Sequence, residues 1–179
     1  VMGCTQGEVV PELDTPLIAL TPTEYNNTIR DLLGMPFESS AWPSPSSVGS
    51  TANDAWPWFF PEETGVNGFE GIIDGQSSSP YQIEQYYKAA VHFANYAMSS
   101  SIFFACDSWS QLSTAAQKDC GWKSIERFSQ RAWRRPLSSE EADRLRHFWE
   151  ENWSGGEPAN AIKLTVMGIL QSPQFLFRI

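Results

Sequence analysis

Apolar residues recur at helical spacing through most of this chain. Tyr25, Ile29, Leu32 and Leu33 fall at i, i+4, i+7 and i+8, which predicts an amphipathic helix over 22–33. Thr21 caps it, Pro22 takes the first turn, Glu24 completes a capping box and Gly34 ends it. Ser79-Pro80-Tyr81-Gln82 opens a second helix to about residue 99, with Ile83, Tyr87, Ala90, Val91, Ala94 and Met98 as its expected inner face. A third covers about 114–134, turning Trp122, Ile125, Phe128, Ala132 and Trp133 inward. Two more follow at 139–152, around Leu145, Phe148 and Trp149, and at 158–171, around Ile162, Val166, Ile169 and Leu170. No β-branched alternation reaches six residues. The pattern therefore predicts an all-α fold, about five helices in an irregular bundle with one long loop.

That loop, 35–79, carries five prolines, many serines and the turn pairs Asn67-Gly68 and Asp74-Gly75. Its aromatic residues, among them Trp56, Trp58, Phe59, Phe60 and Phe69, argue against a solvated coil, because leaving them in water is costly. The organisation expected is an extended leader at 1–16, a first module of one helix plus the loop at 17–78, and a helical module at 79–179.

The stretch FSQRAWRRPLSSEE (128–141) punctuates two helices. Arg131, Arg134 and Arg135 stand where cations meet the free carbonyls and negative end of a helix, and Pro136 stops it. Ser138 and Glu141 form the capping box of the next. The same dipole accounts for Glu140-Glu141 at a helix start, which are not read as a catalytic carboxylate pair.

Charge adds a division that periodicity does not show. The net charge is −9, but residues 1–75 hold eleven acidic side chains and one basic, Arg30, while residues 76–179 hold ten acidic and eleven basic. Nucleic acid is a poor partner for such a chain, since phosphate affinity needs a positive surface. A cation or neutral polar ligand suits the N-terminal part better. Of the three cysteines, Cys106 and Cys120 flank a loop-like stretch. They would pair in an exported protein, or lie as buried thiols in a cytosolic one. No CxxC or CxxCH occurs, so neither a zinc ribbon nor a covalent haem is encoded here. Val1-Met2-Gly3-Cys4 looks like the end of a bacterial lipoprotein signal, without the charged start and apolar core that would precede it. No run approaches 18 apolar residues.

Four motifs in order carry a resemblance: LTPTEYNNTIRDLLG (20–34), FPEETGVNGFEG (60–71), RAWRRPLSSEE (131–141) and ILQSPQFLFRI (169–179). Together they resemble the N-terminal modules of a bacterial multidomain family best known from planctomycetes and found also in myxobacteria and other proteobacteria. Its modules are domains of unknown function accompanied by c-type cytochrome modules. The resemblance implies an exported cell-envelope protein at the periplasm or outer-membrane surface of a Gram-negative bacterium, with lipidation at Cys4 and membrane attachment only through that anchor. It also implies a disulfide, since a cysteine pair before the RAxRRPL-like helix is similar to theirs. Relatives continue past the SPxFLxR-like stretch, so any haem is expected in a downstream module or partner, and no cofactor in this chain.

Asp54, Glu62, Glu63, Glu70 and Asp74 offer calcium the oxygen ligands it prefers, but they lack EF-hand spacing, and acidic loops are commonly just solvated. Trp42, Trp56 and Trp58 could stack on sugar rings as a glycan-binding module, although such residues more often cover a core. Arg127, Arg131 and Arg134 share a helical face and are expected to join the two modules, one of them pairing with an acidic side chain of the first. His92 and His147 lie on separate helices with no ligand-like or triad-like neighbours. The leading expectation is a non-catalytic helical scaffold that holds other protein modules or subunits in a redox assembly.

Overall fold

The computed structural model describes residues 18–35, 60, 80–153 and 157–178. Helix α1 (Pro22–Leu33) starts at the expected capping box: Thr21 Oγ1 accepts from the Glu24 N–H, and Glu24 returns a carboxylate oxygen to the Thr21 N–H. It ends at Gly34, whose φ of 65° is the left-handed conformation that glycine adopts without a Cβ penalty. Helices α2 (Pro80–Ala97), α3 (Thr114–Ala132), α4 (Ser139–Trp153) and α5 (Pro158–Leu170) follow, then a single turn, α6 (Pro173–Leu176). The described residues are thus all-α, apart from a two-residue antiparallel pair. Its strands are β1 (Ile18–Ala19) and β2 (Phe177–Arg178), with Ile18 opposite Arg178 and Ala19 opposite Phe177. The short turn α6 is an element that periodicity does not announce, because four residues carry no period.

Helix α5 is the centre of the assembly and packs against α2, α3 and α4. It is apolar on most sides, as a helix surrounded by others must be, and buries Ala161, Ile162, Val166, Ile169 and Leu170. Against it α2 does not present the face expected from its large apolar residues. Ile83 and Tyr87 are 58% and 52% exposed, while Ala89, Ala90, Phe93, Ala94 and Ala97 are buried. The small side chains let two helix backbones approach closely, and that close packing outweighs burial of the bulkier stripe. Phe148, also expected inside, is 41% exposed.

Tyr25 on α1 reaches the same core, in edge-on contact with Phe60 at 4.7 Å and Phe175 at 5.4 Å between ring centroids. Phe60 is itself buried, so this aromatic residue of the long loop covers the core, as the plainer reading of the loop aromatics held. The Tyr25 hydroxyl is fully buried without a hydrogen-bond partner, and burial pushes its ionisation far upward. An unpaired buried hydroxyl costs free energy that phenylalanine does not incur. Tyr25→Phe is therefore expected to raise unfolding stability by about 1 kcal/mol, checked by urea denaturation. A loss of stability would show that the hydroxyl is satisfied in solution.

Candidate functional site

Arg127, Arg131 and Arg134 act on backbone carbonyls, each on a different segment. Arg127 Nη2 donates to the carbonyl oxygens of Ile102, Phe103 and Phe104, all at 2.9 Å. One turn on, Arg131 reaches the end of α1, donating to Asp31 O at 2.6 Å and Leu32 O at 3.4 Å. Arg134 Nη2 donates to Phe175 O and Phe177 O at 3.0 Å, where α6 gives way to β2. An arginine can do this because its planar guanidinium presents several donors in a fixed fork.

The end of α1 accounts for all four of its last carbonyls. Arg30 O accepts from the Gly34 and Met35 N–H groups, Asp31 O and Leu32 O from Arg131, and Leu33 O from Ser100 Oγ at 2.6 Å. Arg131 thus ties the end of the first helix to α3. It does so through the backbone and the negative end of the helix rather than through an acidic side chain. Arg131 stands in the last turn of α3, as expected, while its hydrogen bonds go to the end of α1; Arg134 and Arg135 lie beyond the helix, which stops at Ala132. Arg131→Met is expected to cost about 1–2 kcal/mol, less than a buried charged hydrogen bond because the group is partly exposed. Hydrogen exchange should quicken in α1 far more than in α5; uniform quickening would contradict a local clasp.

Beyond α3, Arg134 takes a left-handed φ of 59°, which costs a non-glycine residue roughly 1–2 kcal/mol. Its carbonyl contacts offset that strain. Trp133 Nε1 donates to Ser172 Oγ at 2.8 Å, so adjacent residues fasten the same C-terminal segment.

Arg135 points away from the clasp and grips Glu141 with two parallel hydrogen bonds, Nη1 to Oε2 at 2.8 Å and Nη2 to Oε1 at 2.7 Å. Glu141 also accepts from the Ser138 N–H while Ser138 Oγ accepts from the Glu141 N–H, so the expected capping box forms. The Arg135 hydrogen bonds, followed by the Ser138 backbone N–H, hold the Glu141 carboxyl well below its ordinary value of 4.5, at about 2. A depressed carboxylate stabilises the fold fully above the unfolded value and loses that contribution as pH falls toward the folded one. Tm values of wild type and Glu141→Gln are therefore expected to differ most near neutral pH and to converge as pH falls from about 4.5 to about 2. A pH-independent gap would rule out this linkage.

Cys106 and Cys120 are joined in a disulfide that ties the 98–113 connection to α3. Nearby, Ser124 Oγ accepts from the Ala105 N–H at 2.8 Å, and the Phe104 ring stacks on Trp109 at 5.1 Å. Cys4, Trp42, Trp56 and Trp58 lie outside the described residues, as do Asp54, Glu62, Glu63, Glu70 and Asp74. His92 meets the Phe93 ring edge-on, and His147 is an exposed partner of Glu151 on its own helix. Among the described residues no group of three or more His, Cys, Asp or Glu side chains is placed to hold a metal ion, and no helix is long and apolar enough to cross a membrane.

One site has no counterpart in the sequence reading. Between α4, α5 and α6 lies a cleft of about 250 Å³, lined by Trp133, Leu145, Phe148 and Ile169 with Glu141 and Arg144 among its polar groups. Its parts come from four segments, so nothing local in the sequence announces it. Periodicity turns Phe148 inward, whereas in the structure it lines the cleft and is exposed.

Residues 120–179 match a protein family described as "Protein of unknown function (DUF1595)". That span runs from the α3 half of the disulfide through β2 and contains the three arginines, Arg127, Arg131 and Arg134, and every residue that lines the cleft. The motifs at 131–141 and 169–179 fall inside it, and those at 20–34 and 60–71 outside. No curated protein and no solved structure matches the chain.

Proposed function

We propose that this chain is a non-catalytic helical scaffold within an exported cell-envelope protein, holding partner modules or subunits of a redox assembly whose haem resides in a separate c-type cytochrome module. The observation that carries this reading is the use made of the arginines. Arg127, Arg131, Arg134 and Arg135, the cations that most resemble an anion-binding cluster in sequence, are committed to carbonyls and to Glu141. They fasten segments together, which is the work of a frame.

The family match over 120–179 supports the resemblance from which the cytochrome association comes. The Cys106–Cys120 disulfide fits an oxidising compartment such as the periplasm, and anchoring would come through a lipid on Cys4. The first module, 17–78, and the helical module, 79–179, would be the two parts that Arg131 holds together.

The test is to purify the chain from the periplasm of a host competent in cytochrome c maturation. It is expected to show no Soret band and no stoichiometric bound metal, and to form a one-to-one complex with the cytochrome-bearing module encoded with it. A Soret band or redox-active metal in the chain itself would overturn the proposal.

A further inference from the structure

We infer that the cleft between α4, α5 and α6 receives a large apolar side chain of a partner protein, carried beside a carboxylate that meets Arg144. Three observations lead there.

The first is Gly168, in the interior of α5. Glycine in a helix interior costs roughly 0.5–1 kcal/mol relative to alanine. The other two glycines among the described residues each have a visible reason. Gly34 has a positive φ, and a Cβ on Gly121 would come within 2.9 Å of Trp149. Gly168 has neither: a Cβ there would meet only Phe148 Cε1, at 3.7 Å, an ordinary contact. What its missing side chain does is leave the wall of the cleft open.

The second is the apolar surface at this wall. Phe148 lines the cleft at 41% exposure, and Leu164, one turn before Gly168, is 43% exposed. Large apolar side chains grouped around a concave, mostly apolar surface mark a place where another surface is buried.

The third is charge. Glu141 is neutralised by its two hydrogen bonds from Arg135. Arg144, which also lines the cleft, makes no hydrogen bond or ion pair among the described residues. The cleft thus offers an apolar floor and an uncommitted guanidinium, and its complement is an apolar group next to a carboxylate. Size chooses between sources. At about 250 Å³ and open on one side, the cleft falls below the roughly 300–1,000 Å³ that encloses a small molecule, and suits one anchoring side chain.

The inference rests on the scaffold reading for the existence of a partner, but its test needs only the isolated chain. Trp133 supplies a local reporter, because its indole N–H is fixed by Ser172 beside the cleft. In protein labelled with 15N at tryptophan, the resonance is assigned by its loss in Trp133→Phe. The probes are blocked tripeptides. Asp-Phe-Asp is expected to shift this resonance saturably, Asp-Ala-Asp to leave it unmoved, and Asn-Phe-Asn to bind about fivefold more weakly, the scale of one partly exposed ion pair. Arg144→Gln should remove the preference for Asp-Phe-Asp. Gly168→Leu should abolish binding while leaving Tm equal or higher, a combination that damage to the fold does not produce.

The inference fails if Asp-Phe-Asp leaves Trp133 unshifted, if Asn-Phe-Asn binds equally well, or if binding survives Gly168→Leu. It fails also if free 3-phenylpropionate binds more tightly than the tripeptide, which would make the cleft a small-molecule site. A negative peptide result with no haem in the chain removes only the cleft inference. Peptide binding by a chain that carries its own Soret band removes only the scaffold reading.

Discussion

Replacing Trp149 by alanine is expected to cost about 3–5 kcal/mol, the range for emptying the site of a large aromatic core residue. Trp149 is among the largest fully buried side chains and stands where α4 meets α3 and α5. Its Cη2 and Cζ2 lie 2.9 and 3.0 Å from where a Cβ on Gly121 would be, with Ile162 Cδ1 at 3.8 Å. The fit has a second consequence. Gly121→Ala would ordinarily favour a helix by roughly 1 kcal/mol, but here the methyl group meets a ring that its neighbours hold in place. A net loss of about 1–3 kcal/mol is expected from that overpacking. Combining Gly121→Ala with Trp149→Phe should recover part of it, since the two residues share one space. Urea denaturation of the four proteins measures the coupling. Additive losses would mean that the ring and the glycine do not compete for that space.

Loss of the disulfide is the second large effect. The bond closes a separation of 14 residues, and removing it, as Cys106→Ala with Cys120→Ala, is expected to cost about 3 kcal/mol. For a chain of this size that corresponds to a fall in Tm of roughly 6–12 °C. Most of the loss arises in the unfolded chain, which gains freedom once the loop is open. The native connection keeps other ties: Trp109 Nε1 to Gln117 O at 3.1 Å, Ala105 N–H to Ser124 Oγ, and the three Arg127 contacts. The reduced protein is therefore expected to keep its helical circular dichroism at room temperature while melting earlier. Collapse of the helical signal on reduction alone would show that those ties do not suffice.

Helix identity was legible because it is written locally. The capping boxes at Thr21–Glu24 and Ser138–Glu141, the Gly34 stop and the apolar period of α1 and α5 each need only residues a few positions apart. The face that α2 buries was misread for the converse reason. Periodicity ranks residues by size and apolarity, whereas an alanine surface wins when the partner helix approaches closely, and that partner is some seventy residues away. The arginines fall between these cases. Their helical spacing could be read in advance. Their acceptors, carbonyls in three distant segments, could not.

The sequence by itself determined the all-α class, the helix ends, the charge division, and the residue types available for a joint and a disulfide. Tertiary structure alone decided which carbonyls the arginines cap, that Phe60 closes over Tyr25, that Trp149 occupies the space beside Gly121, and that Gly168 opens a cleft. The reason is range. Capping and periodicity act within one or two turns, so residue order encodes them directly. Close packing and carbonyl capping join groups far apart in the chain, and their partners exist only once the helices have met.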